Sequence, residues 1–239
     1  MGRSTYARSL RVGVAIGLVL ALVAAAALVL GRDKIAELAG GTAAVRNASQ
    51  VLIVAASPDD AGAVVAQIIA RVDIPTGKLV AEEPSSAVTI SGTSYDTLKD
   101  AYAFGGGQGV ASAYAQLHDA DVLPYVAIGP QVLTAAVDAQ GGVQLTLPVP
   151  MTVFDGEQLF SFAQGPVTLS GAQLAAVLKG APYLTPAQRT VLNASLAEMY
   201  ADLLGNWKNG LASARDDNKI STDLAPAMFD SLQDCFVKH

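Results

Sequence analysis

The most apolar stretch of the chain runs from Val12 to Leu30, carries no charge and is rich in Val, Leu and Ala. Its length matches the roughly 20 residues that a helix needs to cross a bilayer. Arg3, Arg8 and Arg11 precede it, and an excess of basic residues on one side predicts that this side stays in the cytoplasm. We therefore expect a single transmembrane helix with the rest of the chain outside the cell.

A cleaved signal peptide is the alternative interpretation of this run. The apolar core of a signal peptide usually has about 7 to 15 residues, and the Gly-Arg-Asp-Lys sequence at 31–34 does not resemble a small-residue cleavage site. We favour an uncleaved anchor. The resulting boundaries are a cytoplasmic stub at 1–11, the anchor at 12–30, a linker at 31–50 and an extracytoplasmic domain at 51–239.

Composition limits what this domain can be. The chain is 51% hydrophobic, which excludes a disordered protein, and the part after the anchor has the usual length of one domain. Its single cysteine, Cys235, excludes a framework of internal disulfides. Three of the 15 Lys and Arg residues precede the anchor, so the rest of the chain has 12 basic and 21 acidic side chains and a formal net charge of −9. Such a charge disfavours nucleic acid as a partner, because binding a phosphate backbone needs a basic face.

Hydrophobic patterning predicts alternating strands and helices. We predict strands at 51–55, 79–81, 125–128, 143–147, 158–162 and 167–169, and helices at 95–104, 108–117, 130–139, 170–179, 185–204 and 225–236. Ser57-Pro58-Asp59-Asp60 has the form of a helix start, but the branched residues of 61–72 suit a helix or a strand equally. The alternation is typical of a layered α/β domain.

Familiar catalytic patterns do not stand out in the sequence. No Gly-x-Ser-x-Gly elbow occurs, and neither His118 nor His239 has an evident nucleophile nearby. No cluster has metal-ligand spacing, so no metal site is predicted. The acidic pairs at 59–60, 82–83 and 216–217 are interpreted as solvated charge, because neighbouring side chains point in different directions. The glycines at 105–109 lack the Lys-Ser/Thr of a phosphate loop.

Three segments in the middle of the chain carry a more specific pattern. They read Tyr-Asp-Thr-Leu-Lys-Asp-Ala-Tyr-Ala-Phe-Gly-Gly at 95–106, Pro-Tyr-Val-Ala-Ile at 124–128 and Val-Asp-Ala-Gln-Gly-Gly-Val at 137–143. Leu-Ser-Gly at 169–171 and Thr-Asp-Leu at 222–224 follow in the same order. Together these segments resemble the LytR-CpsA-Psr family, and the resemblance covers most of the chain from Val51 to Leu232.

This resemblance implies a fold and an activity. Members of the family have an α/β/α domain around a central mixed sheet, outside the cytoplasmic membrane and behind one N-terminal span. They are phosphotransferases that move a glycopolymer from a polyprenyl-pyrophosphate carrier onto peptidoglycan with Mg²⁺. The lipid tail lies in an apolar tunnel, and arginines with aspartates hold the pyrophosphate and the metal. Such groups neutralise phosphate oxygens while charge moves during transfer.

The sequence departs from the family where its first acidic and basic motifs are expected. After the first strand, Gly-x-Asp-x-Arg is replaced by Ala-Ala-Ser-Pro-Asp at 55–59, and the following Asp-Thr pair is replaced around Ala61-Gly62. Pro-Arg-Asp is replaced by Pro84-Ser85-Ser86. The family has an asparagine before Ala-Tyr, and this chain has Lys99-Asp100 there.

Further departures follow in the second half. The family's Arg-x-Arg becomes Lys179-Gly180-Ala181, and an expected arginine becomes Ala187, with Gln188-Arg189 beside it. The weak candidates for a catalytic role are therefore Asp59, Lys179 and Arg189. No cofactor is expected, and Mg²⁺ would be needed only by an active transferase.

Three hypotheses follow from these residues. The favoured one is a degenerate, non-catalytic relative that acts as a binding or regulatory module of the cell envelope, with a polyprenyl lipid or an active paralogue as partner. The alternatives are a working glycopolymer transferase and a protein-interaction anchor without lipid. Residues that would line a lipid-tail pocket, or fill a closed core, are Val64, Ile68, Val126, Ile128, Leu174, Val177 and Leu178.

Overall fold

The computed structural model describes residues 48–90, 93 and 96–237, which lie in one compact unit. The predicted stub, the anchor at 12–30 and nearly all of the linker lie outside the described residues. Within the described ranges, no helix combines the length and the apolar character that crossing a membrane requires.

In the part of the chain that the structure describes, nine strands form one central sheet and two two-stranded sheets. Their bounds are β1 Gln50–Pro58, β2 Val64–Asp73, β3 Lys78–Ala81, β4 Tyr125–Ile128, β5 Val143–Leu147, β6 Met151–Phe154, β7 Leu159–Phe162, β8 Gly165–Leu169 and β9 Ser221–Thr222. The central sheet has the order β3-β2-β1-β4-β9, while β5 pairs with β8 and β6 with β7. Only β1 and β4 pair in parallel within the central sheet, so the sheet is mixed, as predicted.

Six α-helices of the described ranges lie around this sheet. Their bounds are α1 Ala101–His118, α2 Pro130–Ala139, α3 Gly171–Gly180, α4 Pro186–Gly205, α5 Gly210–Asp216 and α6 Phe229–Val237. Single turns of 3-10 helix at Leu98–Asp100, Ala181–Tyr183 and Pro226–Met228 precede or join them.

The two faces of the sheet belong to different hydrophobic clusters. Successive side chains of a strand point to opposite faces, and in β1 Leu52 and Val54 pack with residues of α1. Val51, Ile53 and Ala55 pack into a larger cluster with α2, α3, α4 and α6. The α/β domain with a central mixed sheet is thus confirmed, and helices lie on both of its faces.

The predicted helix start after the first strand is wrong. β1 continues to Pro58, and the Asp59 carboxylate then accepts the backbone N–H groups of Ala61 and Ala63 at 2.9 Å each, which closes a tight turn into β2. From Val64 onward the ambiguous segment 61–72 is strand β2, which pairs with β1 and β3, and its Val and Ile residues other than Val64 are buried. Long-range pairing has outweighed a local capping pattern.

The glycines at 105–107 were expected to separate two helices. In the structure α1 runs through them with a kink at Gly105 and Gly106, where Gly106 has a φ of 55°. Three strands or α-helices are absent from the prediction, namely β6 at Met151–Phe154, β9 at Ser221–Thr222 and the short helix α5. β6 contains no clear alternation and acquires its structure by pairing with β7.

Candidate functional site

Several segments that are distant in sequence meet at one cavity of about 270 Å³. They come from the chain after β3, the turn before α1, the end of α3 and the first turns of α4. Side chains with hydrogen-bonding or charged groups on its wall are Gln67, Glu83, Ser85, Lys99, Arg189 and Asn193.

Backbone hydrogen bonds hold two of these segments together. The Lys99 N–H donates to the Pro84 carbonyl at 2.9 Å, and the Leu98 N–H donates to the Ser86 carbonyl at 2.9 Å. These bonds place the 3-10 turn that precedes α1 beside the segment following β3. Ser85 and Lys99, which are distant in sequence, therefore share the cavity wall.

A capping box fixes the helix that provides the opposite wall. The Thr185 hydroxyl accepts the Gln188 N–H, while the Gln188 side chain accepts the Thr185 N–H. This reciprocal pair satisfies two backbone donors at the start of α4. Arg189 and Asn193 stand four residues apart, a spacing that puts them on one face of the helix, and both line the cavity.

The Glu83 carboxylate contacts three other side chains of the cavity wall. Its Oε2 accepts a hydrogen bond from Asn193 Nδ2 at 2.9 Å, and its Oε1 accepts one from the Ser85 hydroxyl. Arg189 Nε lies 3.6 Å from the same Oε1, and Arg189 Nη1 donates to the Leu184 carbonyl at 3.1 Å. Arg189 therefore forms an ion pair with an internal carboxylate while its buried Nε has no hydrogen-bond partner among the described residues, and its Nη1 holds it to the loop before α4.

Gln67 reaches the cavity because of an irregularity in the sheet. Between β1 and β2 the pairing shifts from Ala55 with Ile68 to Ala56 with Ala66, which leaves Gln67 as the extra residue of a β-bulge. Bulges redirect side chains and are frequent beside functional sites. Gln67 is only 6% exposed, and its Nε2 finds no hydrogen-bond partner among the described residues.

Only one of the three sequence candidates for catalysis lies at this cavity. Arg189 lines it, whereas Asp59 caps its own turn and Lys179 lies elsewhere. Lys179 Nζ donates to the Asp155 carbonyl at 3.0 Å, beside a second cavity of about 460 Å³ that Asp60 and Tyr183 also line. The Tyr183 hydroxyl donates to the Asp60 carboxylate, and this bond raises the pKa of Tyr183.

The residues proposed for a lipid-tail pocket are mostly core residues. Six of the seven belong to the larger hydrophobic cluster, namely Ile68, Val126, Ile128, Leu174, Val177 and Leu178. Val64, at the start of β2, is 38% exposed. A lipid-tail tunnel formed by these residues stays a prediction.

Sequence reasoning missed Gln67, Glu83 and Asn193. The pair Glu82-Glu83 was interpreted as solvated charge, but the two carboxylates have different partners: His118 Nε2 lies 3.2 Å from Glu82, and Glu83 faces the cavity. The position of Glu83 directly before the Pro84 that aligns with a family motif was a usable signal. Gln67 carried no such signal, because a bulge depends on strand pairing.

The cavity does not suit Mg²⁺. This ion prefers oxygen ligands in octahedral geometry and is usually held by one or two carboxylates together with phosphate. Of the described residues on the cavity wall, Glu83 is the one carboxylate, and it already contacts Ser85, Asn193 and Arg189. Across the described ranges, no three His, Cys, Asp or Glu side chains come together in a group able to hold a metal.

Comparison with known proteins identifies the fold. No protein-family model matches the sequence, and no curated protein matches it either. Among solved structures, the LytR-Csp2A-Psr enzyme from Actinomyces oris is similar with a TM-score of 0.56 and 16% identity, over 80% of this chain and 76% of that one. TagV from B. subtilis is similar with a TM-score of 0.55 and 14% identity, over 81% of each chain.

A third similar structure is TagT bound to LIIa-WTA, with a TM-score of 0.50 and 17% identity, over 78% of this chain and 73% of that one. The chain therefore has the fold of the LytR-CpsA-Psr structures, and the resemblance found in its central motifs is confirmed at the level of the fold.

Proposed function

We propose that this protein is a cell-envelope protein with a LytR-CpsA-Psr scaffold that does not catalyse transfer and instead acts as a binding or regulatory module. In this proposal residues 12–30 anchor it in the cytoplasmic membrane and the domain lies outside. The shared fold supports the family assignment, and the partners expected from the family are a polyprenyl lipid or an active paralogue.

The observation that carries the proposal is the position of Glu83. Its carboxylate lies 3.6 Å from Arg189 Nε and accepts from Asn193 and Ser85. In effect it supplies the negative charge that a phosphate group would bring to the same arginine. A pyrophosphate would have to displace this carboxylate or bind beside it, and like charges at short distance repel.

The number of cations at the cavity points the same way. Lys99 and Arg189 are the two basic side chains on its wall, and Arg189 is already paired. Phosphoryl transfer depends on positioned cations that stabilise charge in the transition state. Removing one stabilising donor typically costs about 10² to 10³ in rate, so several losses together should abolish transfer.

Arg189 also supports the alternative, a working glycopolymer transferase, because this candidate arginine lines the cavity. In that case Lys99 and Arg189 would hold the phosphate groups, since Asp59 and Lys179 lie outside the cavity. The third hypothesis, a protein-interaction anchor without lipid, predicts that no prenyl lipid is recovered with the protein in native mass spectrometry.

A transfer assay separates the first two hypotheses. The full chain is incubated with a polyprenyl-pyrophosphate-linked glycan, peptidoglycan and Mg²⁺, and product is measured against a catalytically competent relative. We expect no turnover above background, and clear turnover would overturn the proposal. In a transferase, Glu83→Gln would raise activity by freeing Arg189, whereas the control Glu82→Gln, which removes the carboxylate beside His118, would leave it unchanged.

A further inference from the structure

We infer that the cavity around Gln67, Lys99 and Arg189 binds a sugar-sized, hydroxyl-bearing ligand with a single carboxylate. This inference rests on the proposed non-catalytic function and specifies what the binding module holds. It departs from a pyrophosphate group, which would bring more negative charge than this cavity balances.

The Gln67 side chain is an unsatisfied hydrogen-bond donor inside the cavity. A buried polar group without a partner destabilises the fold, because it has lost its hydrogen bonds to water. Gln67 is 6% exposed, its Nε2 has no partner among the described residues, and the β-bulge directs it to the cavity. A ligand oxygen that accepts from Nε2 would remove that cost, so the cavity is suited to a ligand rich in acceptors.

The charged side chains on the cavity wall do not fully balance one another. Glu83 and Arg189 offset each other at 3.6 Å, whereas no ion pair joins Lys99 to another residue of the described ranges. Lys99 is half-buried, and its backbone is held by the bond to Pro84. The wall therefore has a net charge of one positive unit, which one carboxylate balances.

The volume of the cavity and the groups that line it limit the size and chemistry of a ligand. A volume of about 270 Å³ accommodates one sugar ring better than a long polymer. The amides of Gln67 and Asn193 and the hydroxyl of Ser85 can both donate to and accept from sugar hydroxyls, and the Glu83 carboxylate can accept from them. Pockets obtain specificity from a few placed polar groups of this kind.

The test measures binding of simple probes to the full chain in detergent by calorimetry. The probes are glucuronate, which has one carboxylate, glucose, which is neutral, glucose 6-phosphate, and pyrophosphate with Mg²⁺. We expect glucuronate to bind at least about tenfold more tightly than glucose, since a hydrogen bond between Lys99 and a carboxylate is stronger than one to a neutral hydroxyl. We also expect it to bind more tightly than either phosphate compound.

Variants assign the effect to the cavity. Lys99→Met should abolish the preference for glucuronate over glucose, and Gln67→Leu should weaken both sugars by about three- to tenfold through the lost hydrogen bond. Lys208→Met, at an exposed position beyond the far end of α4, is the matched control and should change nothing. Circular dichroism verifies that Gln67→Leu folds, and Lys99→Met tests the inference independently of it.

The inference is overturned if glucuronate shows no advantage over glucose, if that advantage survives Lys99→Met, or if either phosphate compound binds more tightly than glucuronate. None of these outcomes depends on turnover. The transfer assay decides the proposed function separately, so failure of one is distinguishable from failure of the other.

Discussion

Two neighbouring carboxylates show how much one position matters in this domain. Glu82 lies 3.2 Å from His118 Nε2 at the end of α1, whereas Glu83 contacts Arg189 and Asn193 of α4. Adjacent residues of an extended chain point to opposite sides, so a shift of one residue exchanges these partners. A substitution at Glu83 acts on the cavity, and one at Glu82 acts on the contact between β3 and α1.

Asp155, in the turn between β6 and β7, offers a test at the residue scale. The backbone N–H groups of Gln158 and Glu157 donate to its carboxylate at 2.9 and 2.8 Å, and Lys179 adds an attractive charge, so the pKa of Asp155 is lowered. A lowered pKa in the folded state stabilises the fold above the ordinary carboxyl pKa of about 3.9, and this contribution is lost as the pH falls through the folded value.

We therefore expect Asp155→Asn to reduce the loss of stability between pH 5 and about pH 2. The asparagine oxygen can accept the same two hydrogen bonds but does not titrate. Urea denaturation at a series of pH values measures the effect. Asp121→Asn is the control, because no described residue donates a hydrogen bond to its exposed carboxylate. Equal acid sensitivity in wild type and Asp155→Asn would contradict the expectation.

At the scale of elements, the glycines of α1 have unequal roles. A Cβ on Gly107 would lie 2.2 Å from the Tyr125 ring and 2.8 Å from the Ala127 Cβ, so this glycine lets the helix approach β4 closely. A Cβ on Gly105 would meet no atom within 4 Å. The kink at Gly105 and Gly106 separates the first residues of the helix, of which Ala103 and Phe104 are exposed, from the part that packs on β4.

This difference predicts that two alanine substitutions in one helix change the free energy of unfolding by different amounts. Gly107→Ala should lower the free energy of unfolding by about 1 to 3 kcal/mol, because the added methyl group overpacks the contact with β4. Gly105→Ala, the matched control, should change it by less than about 0.5 kcal/mol. Chemical denaturation of both variants measures the effect, and equal stabilities would show that the close contact is not limiting.

At the scale of the whole molecule, β1 joins the two hydrophobic clusters. Leu52 belongs to the cluster under α1 and Ile53 to the larger cluster on the other face, and both are fully buried. β1 also pairs with β2 on one side and β4 on the other. Loss of packing on either face of the sheet should therefore lower the stability of the entire domain.

We expect Leu52→Ala and Ile53→Ala each to destabilise the domain by about 2 to 5 kcal/mol. Unfolding should remain a single transition in both variants, because the clusters share the central strand. Fluorescence of the single Trp207, which packs against the larger cluster, reports one face, and circular dichroism reports the whole. Separate midpoints for the two signals would show that the faces unfold independently. Val191→Ala, at a position 52% exposed, should have little effect.

Much of the fold could be predicted because its signals are local. The alternation in β5, the apolar run of β4 and the capping residues Ser170 and Thr185 each specify an element within a few residues of sequence. The predicted helix start at Ser57 failed for the opposite reason. Its capping pattern is local, but pairing of β1 with β2 and β4 supplies more stabilisation than one cap.

Periodicity and caps lie along the chain, so they predict the layered α/β domain and, to within a residue, the bounds of α2, α3 and α4. Which side chains meet at the cavity depends on the folded chain. Gln67 enters the cavity through a bulge, Lys99 through bonds to a segment before it, and Glu83 reaches Arg189 across more than a hundred residues. Such contacts depend on strand register and helix packing, which no local pattern encodes.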